Sequence, residues 1–429
     1  MKRVKKDFKL VTDTLMVDYN LLANEGSEAE SIIEEIFEVY LQDYLKDFTR
    51  KSSGRLLKSI VTNILANLLN AESQGYSSLI YPMGKKNFQA SRYLPKFITE
   101  RLVVRAVQIL VDAKVVIQDV GTKKMIQIRS TFGGSDTSLV QQAASLRFTE
   151  DICYGDLEWG SFSVRPETEV IILKSKRKTP SSSSELVNYT DTTNMGKEIK
   201  ESIRPFVRKI NDYLLSHTIE YSGDHLCDRS STSYHRIFNQ GTIKRGGRYF
   251  GHWAQNIPAK ERHLIRIDGQ KVMDLDYQAM YYNLLLYRDG ATEAPQEDPF
   301  LIPGYEEFRG TFKTLAYALL NSSSLLKNSP EGLMPPGCKL SYSTLKTILI
   351  LHLPILKKYL KSEIGMELMN LESRIIGRAV MNMMDRDNGF VILHDGLLVA
   401  QNSKHPEGCM HEAFSHIIGW DSKVTKEMH

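Results

Sequence analysis

The chain has 429 residues, too many for one ordinary hydrophobic core, so two or three domains are expected. Its 42% hydrophobic and 25% charged residues match a soluble globular protein, and its four cysteines form no CxxC pair, which argues against a disulfide framework or zinc ribbon. The net charge of +4 permits nucleic-acid binding without requiring it.

Met1 to Leu10 is basic but lacks the apolar core of a signal peptide. Residues 1–75 read as a helical region, with a stripe of Ile32, Ile33, Ile36, Phe37, Tyr40, Leu41, Tyr44 and Leu45. A second helix runs from about Leu56 to Leu69. Residues 76–175 read as a candidate winged-helix module. Thr99 caps a helix through Leu102, Val103, Ala106, Ile109 and Leu110. Two alternating runs follow, Val115/Ile117 and Met125/Ile126/Ile128, and the turn between them puts Lys123 and Lys124 at a wing tip. Basic residues there would contact duplex phosphates; a purely structural hairpin is the alternative. Residues 176–197 read as a linker or exposed loop, from the basic and polar run Lys174 to Ser184.

Residues 198–429 carry the chemistry. A helix through Ile199, Ile203, Val207, Ile210 and Leu214 opens the region. His225, Cys227 and His235 have metal-ligand chemistry but no fourth partner, so ordinary roles are favoured. Asp268-Gly269 between two alternating runs signals a hairpin. Its second strand ends in Asp274-Leu275-Asp276-Tyr277, with both carboxylates on one face, and a helix begins near Ala279. Arg309, Lys313 and Tyr317, spaced i, i+4, i+8, share one helical face suited to gripping a triphosphate and stacking on a base. The apolar run Leu345 to Leu360, interrupted by His352, Pro354, Lys357 and Lys358, reads as a buried helix rather than a bilayer span. A long helix through Leu368, Leu371, Ile375, Ala379 and Met383 leads to a strand, a His394-Asp395-Gly396 turn and a second strand. Asp276 and Asp395 on neighbouring strands would give two Mg²⁺ ions the hard oxygen ligands they need.

These blocks, with the preamble Arg248…Gln255-Asn256-Ile257-Pro258, resemble in order the motifs of family A DNA polymerases (the DNA polymerase I type) and the single-subunit phage RNA polymerases. The resemblance spans roughly Arg248 to Val399. It implies an α+β fold: a right-hand polymerase palm, an antiparallel sheet with helices, carrying reduced fingers within 198–429. It further implies that Asp276 and Asp395, helped by the Tyr277 carbonyl, bind two Mg²⁺ ions, with Mn²⁺ as a substitute. Arg309 and Lys313 would hold the triphosphate, Lys313 also protonating pyrophosphate, and Tyr317 would stack on the incoming base. Arg248, Gln255 and His394 are expected to contact nucleic acid. The implied partners are a primer–template and dNTPs, or NTPs, and a cytoplasmic setting without membrane contact is expected.

The sequence departs from the family at three places. Asn321 stands where the fingers helix usually carries a further tyrosine, Gly396 replaces a carboxylate or hydroxyl, and Tyr281 replaces the ribose-excluding glutamate. Tyr281 is expected to act as a steric gate favouring deoxynucleotides, although its hydroxyl could instead recognise ribose. The expected activity is DNA-directed DNA polymerase in replication of a phage, plasmid or integrated element. The alternatives are an RNA-synthesising polymerase or primase, and a DNA-binding initiator or regulator with a degenerate palm.

Overall fold

The computed structural model describes residues 10–11, 14–49, 51–82, 88, 92–120, 124–129, 135–140, 143–155, 157–177, 184–330, 332–335 and 337–429. The fold is mixed α+β, and two compact units divide the chain. The first comprises 1–170, 224–233 and 251–257, and the second 171–223, 234–250 and 258–429. Among the described residues no helix is long and apolar enough to cross a membrane.

The first unit is organised by three helices whose apolar stripes face one another. Ile33, Ile36 and Phe37 of Glu28–Val39, Ile60, Ile64 and Leu68 of Lys51–Ser73, and Val103, Ala106 and Leu110 of Glu100–Asp112 are all buried in one cluster. Thr99 caps the third helix as expected, its hydroxyl accepting from the Leu102 amide at 3.4 Å.

The expected hairpin after this helix is not formed. Val116–Val120 pairs with Ala143–Phe148, whereas Lys124–Arg129 pairs with Ser135–Val140 and Leu10–Val11. The sheet order is Thr14–Met16, Ser78–Pro82, Ala143–Phe148, Val116–Val120, with Lys124–Arg129 and Ser135–Val140 inserted between its last two paired strands in sequence. Alternation marks a strand and its buried face but does not name the partner, which here lies beyond the inserted hairpin. Lys123 lies outside the described residues, and so does the side chain of Lys124.

In the second unit, the central strand Gln270–Tyr277 is enclosed on both edges. Gly396–Ala400 covers one edge from Val272 to Asp276. On the other edge Ile265–Ile267 covers Gln270 and Lys271, and Val424–Met428 covers Met273 to Tyr277. Phe390–Leu393 and Ile219–Tyr221 extend the sheet, all of whose pairings are antiparallel. A smaller sheet orders Ile171–Leu173, His235–Phe238 and Gly246–Phe250. Helix Gly365–Met384 packs against Gly246–Phe250, against helix Met280–Arg288 and against helix Pro406–Ile418. The stretch 176–197 is tied to this unit at residues it flanks and contains: Ser175 and Val187 amides donate to Glu185 and Leu173 carbonyls at 2.8 Å, and a helix occupies Asn194–Glu198.

The Asp268-Gly269 turn forms as its composition demands. Asp268 has φ +50° and Gly269 φ +73°, the doubly positive geometry of a type I′ hairpin, and Ile267 pairs with Gln270. The single helix expected over Leu345 to Leu360 is instead two, Tyr342–His352 and Ile355–Lys358. Pro354 lacks an amide hydrogen and disfavours helical backbone at Leu353, whose ψ is 76°.

Candidate active site

Asp276 lies on the central strand, and Asp395 lies in the turn that leads into the strand beside it. In the register, Asp276 pairs directly with Gly396, the residue after Asp395. Opposed Cα atoms in antiparallel strands are about 4.5–5.5 Å apart, so the two carboxylates start from neighbouring backbone positions. His394 and Asp395 are the two residues linking Phe390–Leu393 to Gly396–Ala400, and His394 adopts φ +59°, as a tight primed turn requires of its first residue. At the end of the central strand, Ala279 takes φ +52° and turns the chain into helix Met280–Arg288.

The departure at Gly396 has a packing reason. A Cβ there would collide with the Leu275 carbonyl oxygen on the central strand. Gly396→Ala should push the two aspartate-bearing strands apart, destabilising the protein by about 1–3 kcal/mol, the usual cost of overpacking. Thermal melting measures this; a variant as stable as the natural protein would contradict so close a strand contact.

Burial raises the Asp276 carboxyl well above its ordinary pKa, the Asp395 charge adds to the rise, and Lys313 opposes it. Asp276 Oδ1 is buried and has no hydrogen-bond partner among the described residues. A buried orphan oxygen beside a second carboxylate is the kind of position a hard cation satisfies. Among the described residues no group of three or more His, Cys, Asp or Glu side chains is arranged to hold a metal, so a cation here would rely on the two aspartates with backbone, solvent or substrate oxygens. Tyr277 ends the central strand with its hydroxyl donating to the Met410 carbonyl at 2.6 Å. Asp274, on the same strand face as Asp276, is committed elsewhere: its Oδ2 accepts from Arg262 at 2.9 Å and lies 3.3 Å from His429 Nε2.

Helix Arg309–Asn321 supplies the basic face. The Lys313 ammonium lies 5.8 Å from the Tyr317 ring centroid and acts electrostatically on Asp276. Burial, followed by the Asp395 and Asp276 charges, raises the Tyr317 phenol well above its usual pKa. Lys313 and Tyr317 therefore belong to the same electrostatic neighbourhood as the two aspartates. Arg309 instead grips Asp298, with Nε 2.6 Å and Nη2 2.5 Å from Oδ2. Asn321 donates to the Tyr317 carbonyl at 2.8 Å and sits so close to Gly365 that a Cβ on that glycine would strike its side chain.

Tyr281 is fully buried, its ring 4.8 Å from that of Tyr317. Its hydroxyl accepts from Arg248 Nη2 at 3.3 Å. Arg248 is itself buried, and its Nε and Nη2 donate to the two carboxylate oxygens of Glu372 at 2.5 and 2.7 Å. Thus the structure directs Arg248 inward, towards Glu372 and Tyr281. His394 packs 5.2 Å from the Phe250 ring, and burial, then the Arg248 charge, brings its pKa down to about 4. It is therefore a neutral imidazole at physiological pH. Gln255 belongs to the first unit, in the short helix Trp253–Asn256 that His252 caps.

No protein-family model matches this chain, and no curated protein matches it. The residue that sequence reasoning missed is Glu372. Its signal was present: it follows Leu368 by four positions and precedes Ile375 by three, so a carboxylate sits within the apolar stripe of the Gly365–Met384 helix.

Proposed function

We propose that this chain is a template-directed nucleotide polymerase of the right-hand, two-metal type, with the Gln270–Tyr277 sheet as its palm and helix Arg309–Asn321 as its reduced fingers. The observation that carries the proposal is the pairing of Asp276 with Gly396, which makes Asp276 and Asp395 neighbours although they are far apart in sequence. The orphaned Asp276 oxygen and the nearby Lys313 charge give that pair a chemical direction: cations first, then an anionic substrate.

In this reading Asp276 and Asp395 hold Mg²⁺, with the Tyr277 carbonyl as a further oxygen donor. Bound Mg²⁺ supplies Lewis acidity, easing deprotonation of a 3′-hydroxyl and neutralising charge on the leaving pyrophosphate. Lys313 binds the triphosphate and is placed to give a proton to the leaving group. Arg309 joins it by exchanging Asp298 for phosphate oxygens, which keeps the guanidinium paired in both states. Tyr317 presents its ring to the incoming base. The first unit would supply the contacts to duplex nucleic acid.

Extension of a labelled primer on a template, by the full chain in Mg²⁺, tests the reading. Extension with dNTPs is expected. Preference for NTPs, or product formed without primer, would assign the site to RNA synthesis or priming. No incorporation of either nucleotide class would refute nucleotidyl transfer.

A further inference from the structure

Four elements of the second unit meet in one chain of side-chain contacts. Glu372, on helix Gly365–Met384, grips Arg248 on strand Gly246–Phe250; Arg248 donates to the Tyr281 hydroxyl on helix Met280–Arg288; and the Tyr281 ring packs on Tyr317 of helix Arg309–Asn321. Glu372 is 0% exposed. A buried ion pair contributes little net stability compared with well-packed apolar side chains of the same volume, so its presence in a core stripe calls for another role. The geometry supplies one. The two-pronged grip fixes the guanidinium plane, and the hydrogen left on Nη2 goes to Tyr281. Because the phenol oxygen accepts that bond, its own hydrogen is turned away from Arg248.

We propose that Glu372 is a positioning residue for sugar selection: by clamping Arg248 it fixes where the Tyr281 hydroxyl stands and which way its proton points. The proposal rests on the polymerase reading, because it assigns Tyr281 to the sugar subsite of the nucleotide held near Asp276. Glu372 touches no substrate; it acts through Arg248. A tyrosine in the same place without the clamp would keep its bulk but lose its fixed hydroxyl, and discrimination by that hydroxyl would fade.

The test is a double-mutant cycle on the ratio of kcat/KM for a dNTP to that for the matching NTP, measured on one template. Tyr281→Phe and Glu372→Gln should each move the ratio towards unity by about tenfold, the value of one hydrogen bond. In the Tyr281→Phe background, Glu372→Gln should then change it by less than about twofold, within the scatter of independent sites. A merely structural role would lower both kcat/KM values together and leave the ratio alone. Should Glu372→Gln fail to fold because Arg248 is left buried and unpaired, the paired variant Glu372→Met/Arg248→Met removes both charges and should shift the ratio as Tyr281→Phe does. An unchanged ratio in the paired variant, or additive effects in the cycle, overturns the role of Glu372. If the natural protein incorporates neither nucleotide, the polymerase reading itself falls, and that outcome is distinct from the others.

Discussion

Asp276→Asn and Asp395→Asn are each expected to abolish nucleotide incorporation while leaving the protein folded. Loss of an outer-shell partner of a bound metal typically costs about 10–100-fold, and these residues are cast as direct ligands, so the loss should exceed about 100-fold. The fold should tolerate the change because the native site is electrostatically strained. Burial and the Asp395 charge raise the Asp276 pKa. A carboxyl with a raised folded pKa contributes stability that is present below its unfolded pKa and lost as pH rises through the folded one. Above the unfolded pKa the raised folded pKa is therefore a cost that asparagine removes, and Asp276→Asn should melt at or above the natural protein's temperature at neutral pH. Added Mg²⁺ should reverse the order. A ligand at 100 times its Kd stabilises the folded state by about 2.7 kcal/mol, and only the natural protein keeps the site. Melting curves with and without Mg²⁺, run beside incorporation assays, check both halves. Near-natural incorporation by either variant would remove that aspartate from the site.

Lys313→Ala should carry the next largest effect. A lost charge-assisted contact to phosphate costs about 1.5–3 kcal/mol, or about 10- to 100-fold in kcat/KM for the nucleotide. Lys313 offsets the charge repulsion at Asp276, and in the proposed reading it also contacts the triphosphate. Its removal should therefore lower kcat as well as raise KM. Arg309→Ala should act mainly on KM and more weakly, because the natural guanidinium must leave Asp298 before it reaches phosphate. Asp298→Asn should weaken that hold and lower KM. Steady-state single-nucleotide incorporation distinguishes these outcomes, and unchanged constants for both alanine variants would return this helix to an ordinary solvated face.

The parts of the site that were legible in the sequence are those set by local stereochemistry. Asp268-Gly269 names its own turn, because both residues must take positive φ. The Asp274–Asp276 alternation and the Arg309–Lys313–Tyr317 spacing follow from the strand and helix repeats. Apart from the neighbouring of the Asp276 and Asp395 segments, pairings over long sequence distances were not legible. The partner of Val116–Val120 lies past the inserted Lys124–Val140 hairpin, and no period in the sequence identifies it. The same holds for Arg309 with Asp298, and for Arg248 with Glu372, an ion pair between residues 124 positions apart. The inward turn of Arg248 follows from that pair, whose partner lies on another element.

The most direct test of the central claim is a matrix of four templates, differing only at the base opposite the incoming nucleotide, each offered the four dNTPs singly with a labelled primer. The polymerase reading predicts incorporation of the complementary nucleotide on every template, its loss on chelation with EDTA, and its loss in Asp276→Asn. Incorporation indifferent to the template base, or persisting in Asp276→Asn, would contradict it.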